Sequence, residues 1–128
     1  MVKQAKTERP SVRELNKKLQ EARTALECGN GLFANVRSAA GELNDLRLGD
    51  SGDVWPLILE LLDEIEPENY VGRRPPERSY EAKIYGKELF AFAWESERLR
   101  ERMYLKFALQ EGRFYYVSLH PSKERGEL

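Results

Sequence analysis

The chain has 128 residues, 41% apolar and 34% charged, with a formal net charge of −1, which suits one compact domain with a core and excludes two ordinary domains. No run approaches the ~18 apolar residues that cross a bilayer, and the opening MVKQAKTERP lacks the apolar stretch of a secretory leader, so a cytoplasmic protein away from membranes is expected. One cysteine, Cys28, excludes an internal disulfide, and with one histidine it also excludes a four-ligand Cys/His zinc site.

Residues 1–10 are polar, end in Pro10 and read as a flexible arm. Ser11 followed by Glu14 has the spacing of a capping box. Val12, Leu15, Leu19, Ala22 and Leu26 then form the apolar stripe of a first helix, which Gly29 stops. A weaker second helix is predicted over 35–47 from Val36, Ala39, Ala40, Leu43 and Leu46. After a loop at 49–52, Asp53 is a candidate cap for a third helix with Pro56 in its first turn. Its body, 57–65, has a wide apolar face with Glu60, Asp63 and Glu64 outside.

Residues 66–79 combine Pro67, Gly72, Pro75 and Pro76 with Arg73, Arg74 and Arg78, a stiff basic loop whose arginines are candidate anion contacts. The charge is uneven along the chain. Residues 1–41 carry 8 Lys/Arg against 4 Asp/Glu, residues 42–72 carry 1 against 9, and residues 73–128 carry 12 against 9. An acidic middle between basic flanks is compatible with nucleic acid on one surface despite the near-zero total.

From residue 80 the apolar period changes from helical to two. Strands are predicted at 80–84 (Tyr80, Ala82, Ile84), 90–94 (Phe90, Phe92, Trp94), 103–109 (Met103, Leu105, Phe107, Leu109) and 114–120 (Tyr115, Val117, Leu119). The expected fold class is therefore α+β, with N-terminal helices packed on an antiparallel sheet of about four strands. One domain spans 11–122, followed by a tail at 123–128.

The register of the last hairpin decides which side chains meet. A two-residue turn at Glu111-Gly112 opposes Leu105 to Ser118 and Lys106 to Val117. A three-residue loop, Glu111-Gly112-Arg113, opposes Leu109 to Tyr115, Phe107 to Val117 and Leu105 to Leu119, making one face wholly apolar. The second register is the expected one. It sets Tyr104 opposite His120 and Lys106 opposite Ser118 on the other face, with Ala108 and Tyr116 beyond and Arg102 continuing the row. Burying that row would leave Lys106 unpaired, so it is expected to face solvent.

A phenol, an imidazole and an ammonium without a carboxylate pair suit cleavage of RNA by its own 2′-hydroxyl, with no metal or other cofactor. That reaction needs a base at the 2′-oxygen, an acid at the 5′-oxygen and cations over the charge developing on phosphorus. Imidazole, with a reference pKa near 6.5, carries protons readily at neutral pH. Tyr104, His120 and Lys106 are the candidate catalytic residues, with Arg102, Arg73, Arg74, Tyr116 and Ser118 as candidate RNA contacts. Tyr70 and Tyr80 are further candidates for stacking on bases. Non-catalytic binding of nucleic acid or protein, as in a regulator, is the competing expectation.

The run Met103-Tyr104-Leu105-Lys106-Phe107, a short turn and Tyr116-Val117-Ser118-Leu119-His120 resembles the closing hairpin of the MqsR family of toxins, within the wider RelE-like group of bacterial toxin–antitoxin modules. Arg37-Ser38-Ala39-Ala40, Asp53-Val54-Trp55 and Glu68-Asn69-Tyr70 are similar to segments of that family in the same order, so the resemblance spans about 11–122. It implies a RelE-like α+β toxin that cleaves messenger RNA, free or ribosome-bound, without metal, and is neutralised by a cognate antitoxin protein. The family's catalytic tyrosine falls on Tyr104. The lysine ending its last strand falls on His120, the lysine after its helix on Val71 or Arg73, and its glutamine near Ala91.

Overall fold

The computed structural model describes residues 9–122; the expected tail at 123–128 and the first eight residues of the expected arm lie outside that span. Residues 9 and 10 are tied down rather than free. Arg9 forms ion pairs with Glu14 and Glu88, which raise its already high pKa, and Pro10 is buried. Helix α1, Val12–Glu27, begins at Ser11, whose hydroxyl accepts the Glu14 amide at 3.0 Å. Only that half of the expected capping box forms, because the Glu14 carboxylate turns to Arg9. Gly29, at φ +77°, ends the helix in the left-handed conformation, with amides of Gly29 and Asn30 returning to Leu26 and Ala25. Leu15, Leu19, Ala22, Ala25 and Leu26 are buried, while Val12 is exposed.

Helix α2, Val36–Asp45, is capped by Asn35, and α3, Val54–Leu62, follows a short 3-10 turn at Ser51–Asp53. The capping carboxylate is Asp50, which accepts the Gly52 amide at 2.8 Å, and Asp53 makes no side-chain cap. Val54, Leu57, Ile58, Leu61 and Leu62 pack into the core. The acidic residues around the end of α3 hold neighbours. Asp63 pairs with Arg23, Glu60 with Arg98, and Glu64 accepts the Trp94 indole N–H and the Arg98 amide, both at 2.8 Å. Partial burial pulls the Glu64 pKa up, but these hydrogen bonds outweigh it and leave it below the usual glutamate value.

Among the described residues the sheet has four strands in the order β1-β4-β3-β2: β1 Gly31–Phe33, β2 Phe90–Ser96, β3 Glu101–Gln110 and β4 Arg113–Pro121. The architecture is α+β as expected, but the sheet is mixed, because β1 runs parallel to β4. The fourth strand is this short segment after α1 and not residues 80–84. Gly31 lets Trp55 approach so closely that a Cβ would lie 2.7 Å from its ring. Residues 80–84 fail as a strand because their alternation buries little: Tyr80 is 87% exposed, Ala82 is exposed, and Ile84 alone is buried, in a 3-10 turn at Ala82–Ile84.

One face of the sheet carries Phe90, Phe92, Trp94, Met103, Leu105, Phe107, Phe114, Tyr116 and Leu119 against the helices. The other face is half covered. Residues 77–89 fold back as a small flap, with the backbones of Arg78 and Glu88 pairing in an isolated antiparallel β-bridge and the Ser79 amide donating to the Lys87 carbonyl, and they bring Ile84 and Leu89 over Ala108 and Tyr115. Among the described residues, no helix is long and apolar enough to cross a membrane.

Candidate active site

The hairpin of β3 and β4 combines both registers that the sequence allows. Its tip is a two-residue turn with Glu111 at φ +53° and Gly112 at φ +76°, a twist that matches the flanking strands. From there Gln110 opposes Arg113, Leu109 opposes Phe114, Ala108 opposes Tyr115 and Phe107 opposes Tyr116. Val117 is then an extra residue opposite the Lys106/Phe107 step, and beyond this bulge Lys106 opposes Ser118, Leu105 opposes Leu119 and Tyr104 opposes His120. The expected pairs from Lys106 outward are therefore present, and those nearer the turn are displaced by one.

Tyr104 and His120 meet ring on ring, with centroids 5.0 Å apart and planes 23° from parallel. Both are half-buried on the face away from the helices. Ala93, opposite Tyr104 on β2, and Ala91, opposite Lys106, keep that side of the row low. His120 Nδ1 lies 2.9 Å from the Pro121 carbonyl oxygen. A carbonyl only accepts, so this contact requires the proton on Nδ1 and turns the neutral imidazole's lone pair to Nε2. That carbonyl serves the orienting role for which the sequence offers no carboxylate. Lys106 and Ser118 follow on the same face, half-buried. Arg102 continues the row opposite Glu95, with its Nε buried and unpaired among the described residues.

Other candidates lie elsewhere. Tyr116 does not join the row. The two-residue turn reverses its face, so it is 1% exposed in the helix-side core, where its hydroxyl donates to Glu42 at 2.6 Å. Burial first, and the Glu42 carboxylate second, push its pKa up, so it remains a neutral donor. Ala108 is likewise buried, under the flap. Tyr70 packs edge-on to Phe92 and donates to the Arg73 carbonyl, and burial pushes its pKa up to about 12, so it is not a stacking surface. Arg74 lies over the Tyr70 ring and donates to the Pro10 carbonyl at 2.7 Å, which fixes it against the helix side, and Arg73 is exposed in the same loop.

Glu42 is a residue whose role the sequence does not signal. Strand β1 ends at Phe33, opposite Tyr116, so β4 loses its outer neighbour beyond that point. The Glu42 carboxylate replaces it, accepting the Leu119 amide at 2.9 Å together with the Tyr116 hydroxyl. Glu42→Ala is expected to leave both donors unpaired and to lower stability by ~2–4 kcal/mol, whereas Glu42→Gln, which keeps an acceptor, loses about half as much. Urea unfolding of the two variants checks this.

Among the described residues, no group of three or more His, Cys, Asp and Glu side chains is arranged to hold a metal ion. Compared with known protein families, with curated proteins and with solved structures, the chain has no match.

Proposed function

We propose that this chain is the toxin of a type II toxin–antitoxin module, a metal-independent endoribonuclease that cleaves messenger RNA in the cytoplasm and is held in check by a cognate antitoxin protein. The observation that carries the reading is the stacked Tyr104–His120 pair beside Lys106 on the half-exposed face of the sheet. The resemblance of this hairpin to the MqsR family supports it from the side of sequence.

In the reaction, the 2′-oxygen attacks the adjacent phosphorus and the bond to the 5′-oxygen breaks, leaving a 2′,3′-cyclic phosphate and a 5′-hydroxyl. One proton leaves the 2′-hydroxyl and one is delivered to the departing oxygen, so two proton-carrying groups are needed. His120 Nε2 and the Tyr104 hydroxyl are those two groups, and Lys106, with Arg102 further along the row, supplies positive charge to the oxygens on phosphorus. Val71 and Ala91 carry no such chemistry, so the centre relies on His120 and the row's cations where the resembling family uses its lysine and glutamine.

The test is cleavage of a naked messenger RNA in EDTA, with a translating extract as the parallel arm for a ribosome-dependent enzyme. Fragments ending in cyclic phosphate are expected from the wild type and not from His120→Ala. Intact RNA in both arms, with RNA still bound, would overturn the nuclease and favour the binding regulator.

A further inference from the structure

Beside the Tyr104 row, the flap and the sheet form an open groove of about 330 Å³, lined by Glu77, Arg78, Ser79, Tyr80, Lys106 and Val117 among others. That volume lies at the lower end of the range for small-ligand sites. Its contents are unlike ordinary surface. Tyr80 is 87% exposed and stands in a T-shaped contact with the less exposed Tyr85 at 6.3 Å between centroids, so most of its ring faces solvent without apolar cover. Arg78 is braced by donating to the Gly86 carbonyl at 3.2 Å. The Glu77 carboxylate is exposed and has no hydrogen bond or ion pair among the described residues, although its backbone carbonyl anchors Leu89. The nearby Glu81 is already engaged by Asn35.

Lys106 belongs to both places. It stands on β3 two residues from Tyr104 and on the same face, about 7 Å along the strand, and it also lines the groove. A group held in the groove against Lys106 is therefore one strand repeat from the Tyr104–His120 pair.

We propose that this groove is a nucleobase subsite: a single-stranded base stacks on Tyr80 and presents its N–H donors to Glu77, while Arg78 and Lys106 hold the adjoining phosphate. Guanine suits the site best, because its N1–H and N2–H lie side by side and match the two oxygens of one carboxylate. Its role in choosing where RNA is cut rests on the nuclease reading above, but base binding does not.

Fluorescence anisotropy with labelled oligodeoxynucleotides, which lack the attacking 2′-hydroxyl, separates the two. A dT hexamer with one central dG is expected to bind at least about fivefold more tightly than hexamers with dA, dC or dT there. Tyr80→Ala is expected to weaken binding about tenfold and Tyr80→Trp to preserve it. Glu77→Ala is expected to remove the dG preference, whereas a purely electrostatic Glu77 would, once removed, tighten all four sequences alike. Equal binding of the four hexamers, or indifference to Tyr80→Ala, overturns the subsite even if RNA is cleaved. Tyr80- and Glu77-dependent binding without cleavage supports the subsite and overturns the nuclease instead.

Discussion

His120→Ala is expected to slow RNA cleavage by about 10²–10⁴-fold while leaving the fold intact, because it removes one of the two proposed proton carriers and little packing. The ring is half-buried and its neighbours are a backbone carbonyl and one face of Tyr104, so its loss opens no hole in the core. Tyr104→Phe keeps the stacked ring and deletes only the hydroxyl, and a loss of similar size is expected if that hydroxyl carries a proton. A loss below about fivefold for Tyr104→Phe, with His120→Ala inactive, would make Tyr104 a positioning residue for the imidazole. Single-turnover rates measured with excess protein give these numbers directly, and unchanged thermal unfolding of both variants excludes misfolding. Expressed in a bacterial host, the wild type is expected to arrest growth and the two variants to relieve it.

Phe107→Ala is expected to have the largest effect on stability, ~3–5 kcal/mol. Phe107 is fully buried, stacked on Phe114 at 5.0 Å and on Phe92 at 6.0 Å, with Phe90 at 6.2 Å. It also stands at the step where the Val117 bulge begins, so its ring is the fixed point around which β4 changes register. Removing it leaves a cavity ringed by aromatic side chains that cannot collapse without moving the sheet. A domain of this size has a total stability of about 5–15 kcal/mol, so at least about a fifth of it is at stake. The urea midpoint should fall with the m value unchanged. A change under ~1 kcal/mol would mean that the core repacks around the loss.

The helices were legible because their signals are local: Ser11 at the cap, a 3.6-residue stripe from Leu15 to Leu26, and Gly29 in the one backbone region that favours glycine. The meeting of Tyr104 with His120 was legible because only one register buries Leu105 with Leu119. The face of Tyr116 was not. Strict alternation groups residues 114 and 116 with 118 and 120, but the bulge at Val117 changes the parity, so Phe114 and Tyr116 go to the core while Ser118 and His120 stay outside. Nothing in a run of β-formers announces an extra residue. Strand β1 is equally silent, since three residues are too few to display a period. The flap misled in the opposite sense, because Tyr80, Ala82 and Ile84 alternate by sequence without sharing a buried face. The group that orients His120 is a main-chain carbonyl, which every residue possesses and no residue type advertises.

The spare residue in β4 gives this hairpin slack in its length. Deleting Val117 would let Ser118 follow Tyr116 directly, and every other residue of the strand would keep the partner and the side of the sheet it has now. In a regular ladder, losing one residue exchanges inside for outside in everything downstream. Here the strand carries its own tolerance for a single-residue deletion, next to the two side chains whose placement matters most.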